Sequence, residues 1–295
     1  MKGKGLQGRL ALLLCAIIWG TSFVVLKNTL NSIGTMWVLS IRFTVSAVLL
    51  AAAAGRRLKN VSQRCIQGGA LAGLSLALAY IVQTYGLVYT TPGKNAFLTA
   101  TYCVLTPFLA WLVYKRRPGL ANVLAAFLCI TGIGFVSLTE GLGNVNIGDM
   151  LTLMCGFFYA FQVIILEHYK DSGEAVTISA IQFAIAALIC WFGAVLFEPA
   201  PKDVSMDAWM GIAYLSVFCT AVCFFLQAWG IQYTNSSVAA MIMTLESVFG
   251  VLTSVLFYDE LVTGKMLLGF VLIFLAVIFS EVKLPFLKGH KPDRA

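Results

Sequence analysis

Residues 80–116 read YIVQTYGLVYTTPGKNAFLTATYCVLTPFLAWLVYKR, and residues 224–260 read FFLQAWGIQYTNSSVAAMIMTLESVFGVLTSVLFYDE. The second stretch lies on the first at an offset of 144 residues, without a gap. Gln83 falls on Gln227, Gly86 on Gly230, Tyr89 on Tyr233 and Thr90 on Thr234. Ala96, Val104 and Tyr114 fall on Ala240, Val248 and Tyr258. Each stretch holds two apolar runs with a short polar connection, the pattern of two consecutive membrane-spanning helices.

The rest of the chain follows that pattern. Of the 295 residues, 60% are hydrophobic and 11% are charged. A soluble domain carries about 25% charged residues, so this chain lacks the charge to cover a water-facing globule. Its apolar runs predict spans at 10–28, 36–54, 67–88, 96–114, 120–139, 147–167, 177–197, 208–230, 238–258 and 265–283. The predicted fold is therefore an all-α polytopic membrane protein with ten transmembrane helices. Connections are short throughout, and no cleavable leader is evident after the apolar stretch from Leu10 to Lys27.

The net charge of +7 does not signal nucleic acid, because the basic residues lie between spans. With the N-terminus in the cytoplasm, inner segments hold fifteen basic residues and outer ones hold Lys27, Lys94, Lys202 and Lys265. That excess puts both termini in the cytoplasm, and an even span count requires the termini to share a side. Trp37 and Trp209 then open the second and eighth spans at the outer interface. The expected location is the inner (plasma) membrane.

An offset of 144 residues leaves five spans per half, and an odd number inverts the second copy in the bilayer. The predicted units are residues 1–143 and 144–295, two inverted five-helix repeats. Charge agrees, since Lys115 and Arg116 end the fourth span while the equivalent Asp259 and Glu260 end the ninth. Secondary transporters are often built this way, with a site near the midplane between the halves.

Charged and polar groups are costly in hydrocarbon and normally face the bundle interior or a wet cavity. Glu246 lies near the middle of the ninth span, and the repeat sets Tyr102 opposite it. Asn95, Thr99, Tyr102 and Thr106 share one side of the fourth span, and Ile242 or Met243 with Glu246, Gly250, Thr253 and Phe257 one side of the ninth. Gln83, Gln227, Gln162 and Gln182 add amides, and Trp19, Tyr80, Tyr85, Tyr159 and Trp229 supply walls. The expected substrate-binding set is Trp19, Tyr80, Gln83, Thr99, Tyr102, Tyr159, Gln162, Gln227 and Glu246. Arg42, a third of the way into the second span, could snorkel, pair with a carboxylate such as Glu246, or attract an anionic substrate, and reads first as a gating or structural residue. Pro107 removes a helical donor from the fourth span, and its repeat partner is Val251, so the halves should kink differently. The G-A-L-A-G run from Gly69 to Gly73 reads as close helix packing.

Other chemistry is not signalled. The sequence has no Walker motif, HExxH, GxSxG or paired acidic metal site, and no cofactor or metal is expected. The eight cysteines form no CxxC pair and read as small packing residues. Asn60 and Asn235 match the glycosylation pattern, but the topology puts both inside.

These features are similar to those of the drug/metabolite transporter superfamily, specifically its ten-span EamA-type members. LLLCAIIWGTSFVVLK resembles the family's opening helix with Trp19, Gly20 and Lys27; LSIRFTVSAVLL sets Arg42 on the common arginine; TPFLAWLV carries Pro107; LESVFGVLTSVLFYDE matches the acids at Glu246 and Glu260. Two positions depart, Ser247 for the usual proline and Lys115-Arg116 for the usual Gly-Glu. The resemblance implies a carrier with a central cavity and peripheral fifth and tenth spans. The expected function is a secondary transporter of small organic solutes, amino acids or related metabolites above all, with export ahead of uptake. The alternative is a membrane enzyme or lipid-handling scaffold, for which no convergent reactive set is present. Partners are the solute and membrane lipid. A coupling proton is open, since Glu246 could carry one or simply hold an amine. The sequence sets no oligomeric state and is compatible with a monomer.

Overall fold

The computed structural model describes residues 2–115, 117–137, 146–169, 171–173, 175–234 and 236–281. Arg116, Lys170, Asn235, the basic residues after 282 and the 143/144 repeat boundary lie outside them. The helices are α1 (Lys2–Thr29), α2 (Thr35–Ala54), α3 (Gln63–Tyr89), α4 (Pro92–Ala100), α5 (Tyr102–Tyr114), α6 (Leu120–Ser137), α7 (Ile147–Tyr169), α8 (Ala175–Phe197), α9 (Met206–Ser216), α10 (Cys223–Gln232), α11 (Ser236–Phe257) and α12 (Gly264–Glu281). A 3₁₀ turn, Gly55–Asn60, follows α2, and a π-helical segment, Val217–Val222, joins α9 to α10. Among the described residues, eight segments are long and apolar enough to cross a bilayer. Two shorter apolar helices, Met241–Phe257 and Gly264–Ser280, follow them. The chain is an all-α polytopic membrane protein.

Caps mark several starts. Ser62 accepts the Cys65 amide at 3.1 Å and Ser205 accepts the Ala208 amide at 3.2 Å, each satisfying a donor that the first turn leaves orphaned. Thr91 stands before Pro92 at the start of α4, where the missing N–H costs nothing. Lys115 and Asp259 end α5 and α11 in left-handed conformation, with φ of 57° and 52°.

The helices pack in pairs: α1 on α11, α3 on α7, α2 on α8, α6 on α12, α4 on α11, and α1 on α10. Some pairs approach at backbone contact. A Cβ on Gly86 would lie 2.9 Å from the Gly148 carbonyl, and one on Gly148 would lie 2.6 Å from that of Gly86. Gly8 and Gly230 meet the same way, at 3.0 and 2.9 Å. Without a hydrophobic drive between helices in lipid, such small-residue contacts supply the packing. The G-A-L-A-G run does pack closely, with Gly73 against the Gln182 backbone of α8.

One end of the bundle carries a cluster of charged helix caps. Lys27 Nζ donates to the carbonyls of Leu87, Val88 and Thr90 at 2.6–3.0 Å, covering the C-terminus of α3. The Glu198 carboxylate accepts the Met36 amide at 3.0 Å and the Tyr85 hydroxyl at 2.9 Å, so it sits on the N-terminus of α2. Glu260 accepts the Gly93 amide at 2.9 Å and the hydroxyls of Thr91 and Ser254. Lys94 pairs with the buried Asp149 at 3.5 Å. Lys27, Glu198, Glu260 and Asp149 each oppose the dipole of the helix end they sit on, which is stabilising by about 0.3–2 kcal/mol per site, and Asp149 also offsets Lys94 in the first turn of α4. Tyr85 therefore belongs to this capped end and not to a cavity wall. Trp37 is here too, its indole donating to the Pro199 carbonyl at 2.9 Å.

Candidate functional site: a polar cavity within the bundle

A cavity of about 220 Å³ lies in the bundle interior, and a second chamber of about 390 Å³ adjoins it. Trp19, Thr99, Tyr102, Val163, Gln227 and Glu246 line both. The second chamber runs away from the capped end, between Thr106 on α5, Ile231 on α10 and Met243 on α11.

All nine residues expected to bind substrate line the first chamber, and Arg42 joins them. Pro107 does not line either chamber, and neither does Trp229, whose ring packs on Tyr233 at 5.3 Å. Gln182 stands behind the wall, accepting the Gln162 amide at 3.3 Å. Asn95 is buried and structural, donating to the Gln83 carbonyl and to Thr152. Of the α11 side expected to face inward, Met243 and Glu246 reach the chambers, joined by Ala239, Thr244 and Ser247, while Gly250 packs against Ala96 and Thr253 donates to the Gly20 carbonyl.

Polar wall groups are partly committed to each other. The Tyr159 hydroxyl donates to Gln83 Oε1 at 2.8 Å, and Gln83 Nε2 donates to Thr99 Oγ1 at 2.8 Å. This relay fixes three side chains from α7, α3 and α4. Tyr80 lies edge-on to Tyr159 and to Phe43, and Phe224 lies edge-on to Trp19. Aromatic walls with a few directed polar groups are the usual make-up of a small-molecule pocket.

The π segment of the eighth span positions two wall residues. A π turn leaves a carbonyl without its helical donor, and here side chains reach in. Trp19 Nε1 donates to the Cys219 carbonyl at 2.6 Å. Thr220 Oγ1 donates to the Leu215 carbonyl at 2.9 Å and accepts from Arg42 Nε at 3.0 Å. Periodicity alone gave no sign of this segment, and Thr220, Ser22 and Phe224 were not among the expected site residues.

Pro107 acts elsewhere. The break in the fourth span falls at Thr101, between α4 and α5, whereas α11 runs unbroken. Lacking an N–H, Pro107 leaves the Cys103 carbonyl without its helical donor. The Ser280 hydroxyl of α12 donates to that carbonyl at 3.0 Å. The proline thus ties α5 to α12.

Arg42 and Glu246 do not pair. Among the described residues neither joins a salt bridge, and Glu246 accepts no hydrogen bond. Arg42 is 2% exposed, and its guanidinium lies 4.9 Å from the centre of the Tyr80 ring, a cation–π contact. Among the described residues no group of three His, Cys, Asp or Glu side chains could hold a metal ion.

An all-helical membrane bundle around a polar cavity is the architecture of a solute transporter. The model of the EamA-like transporter family matches residues 6–138 and 146–281, and the chain belongs to that family. As a member of that family it is a transporter. An uncharacterised transporter of Archaeoglobus fulgidus is 33% identical over 281 residues, covering 95% of this chain and 87% of that protein. A protein of Escherichia coli K12 described as a probable amino-acid metabolite efflux pump is 24% identical, covering 97% and 98%. A solved structure matches the fold with a TM-score of 0.67 at 14% identity, covering 92% of this chain and 95% of that one.

Proposed function

We propose that the protein is a secondary carrier of amino acids or closely related metabolites, working by alternating access and oriented for export. The observation that carries this reading is the convergence of nine polar and aromatic side chains from α1, α3, α4, α5, α7, α10 and α11 on one cavity. These nine are the substrate-binding residues of the proposal. The relative described as an amino-acid metabolite efflux pump supports the solute class.

Alternating access requires two like halves, and the reading takes ten spans in two inverted repeats, residues 1–143 and 144–295. Several features support it. The family model matches one stretch in each half. Lys115 and Asp259, two of three non-glycine residues with positive φ among the described ones, are 144 positions apart. Gly86 and Gly230 share that offset, and each meets a glycine near the start of the helix opening a half, Gly148 on α7 and Gly8 on α1. The pairing pattern also maps onto itself when each span is advanced by five: α3 on α7 becomes α10 on α1, and α5 on α7 becomes α11 on α1.

In this orientation the capped end is outer, both termini are cytoplasmic in the inner membrane, and the second chamber leads inward. Glu246 binds the solute amine or carries a coupling proton. The test is counterflow in proteoliposomes. Glu246→Gln keeps the shape and loses the charge, so it should fold yet lose most saturable transport, and any remaining flux should depend less on pH. Unchanged rate, affinity and pH response would remove Glu246 from the mechanism.

A further inference from the structure

We infer that Arg42 and Glu246 are the two poles of a zwitterion site, Arg42 taking the solute carboxylate and Glu246 its ammonium. The inference rests on the reading of the cavity as the substrate site. It begins from an electrostatic imbalance. Two opposite charges line one chamber of about 220 Å³ without touching. A charge in low-dielectric surroundings is expensive unless it is paired and hydrogen-bonded. Among the described residues, neither has an ionic partner, so each pole lacks a counter-ion that a bound solute would supply.

Arg42 is held as a receptor would be. Its Nε is spent on Thr220, and the Tyr80 ring supports the guanidinium plane. Among the described residues its two Nη atoms donate to nothing. A guanidinium fixed through Nε offers its terminal nitrogens as donors to a carboxylate. Thr220 is oriented in turn, because its own proton goes to the Leu215 carbonyl, leaving a lone pair for Arg42. The π segment therefore sets the direction of the fork.

Glu246 complements this from α11. It is an acceptor-only group when ionised, and it faces both chambers. The chamber's aromatic walls come from Trp19, Tyr80, Tyr102, Tyr159 and Phe224. They suit an apolar side chain and offer no third full charge. The solute class that satisfies all three conditions is a neutral α-amino acid with an apolar side chain. A site that hydrogen-bonds both groups rejects an analogue lacking one, because the matching pole is left desolvated and unpaired.

The experiment uses purified full-length protein in liposomes, with labelled phenylalanine, leucine and alanine in counterflow. Each is challenged with its decarboxylated amine and its deaminated acid. Both one-pole analogues should compete at least tenfold more weakly than the amino acid. Arg42→Gln should raise the half-saturating amino-acid concentration at least tenfold and leave competition by the amine unchanged. Arg42→Lys, which keeps charge but not the fork, should fall between. Amines that compete as well as amino acids in the unmodified protein would overturn the inference, as would a folded R42Q with unaltered preference. If R42Q does not fold, the analogue competition in the unmodified protein decides alone. Saturable transport of only the amine or only the acid sinks the two-pole site and leaves the carrier reading standing. No saturable flux of any of the three classes sinks both.

Discussion

The Glu260 carboxylate accepts the Gly93 amide at 2.9 Å, so the last acid after α11 caps the first turn of α4. A charge at a helix N-terminus in partly buried geometry is worth up to about 2 kcal/mol. Glu260→Gln should lower the unfolding midpoint in detergent. In a background free of reactive thiols, it should also speed labelling of a cysteine at Ser22, which lines the first chamber. Unchanged labelling with a lowered midpoint would make Glu260 a local cap that plays no part in closing that end.

Ser280 and Pro107 make a testable pair. The Ser280 hydroxyl satisfies the Cys103 carbonyl that the proline frees. Removing it should cost about 1 kcal/mol in the native protein. In a Pro107→Ala background the helix restores its own donor, and the same Ser280→Ala change should cost less. A double-mutant cycle on unfolding midpoints checks this, and additive effects would refute the coupling.

Arg117 and Leu261 are repeat equivalents and both are exposed. In sealed vesicles, single cysteines at these positions should react with an impermeant maleimide from opposite sides. Reaction from the same side would reject the inverted repeat.

Two glycines on α6 should respond oppositely to alanine. A Cβ on Gly132 would lie 2.8 Å from the Gly269 carbonyl, while one on Gly134 meets nothing within 4 Å. Gly132→Ala should destabilise by 1 kcal/mol or more, on the order of other overpacking changes. Gly134→Ala should be neutral or stabilising by up to about 1 kcal/mol. Unfolding midpoints compared side by side measure the difference.

Much of the cavity was legible because cost is legible. A glutamate, an arginine and several amides inside apolar runs can only be tolerated facing inward, so Glu246, Gln83, Gln162 and Gln227 could be read as wall residues. Aromatics were harder, since they suit lipid interfaces, cores and cavities alike. Tyr85 went to Glu198 at the rim and Trp229 to Tyr233, while Tyr80 and Tyr159 faced the chamber. Arg42 was read as a gating or structural residue because a counter-ion was expected within the protein. Thr220 and the π segment left no trace in the pattern, because one extra residue in a helical turn changes geometry without changing composition.

That extra residue has an angular consequence. Each position on an α-helix advances by about 100°, so the insertion at Val217–Val222 rotates α10 relative to α9. Winding the same residues as an ordinary α-helix would leave the composition unchanged. It would also swing Phe224 and Gln227 by about 100°, away from the chamber they now line. The face that α10 turns inward is thus set by a phase offset in the backbone, not by which side chains the segment carries.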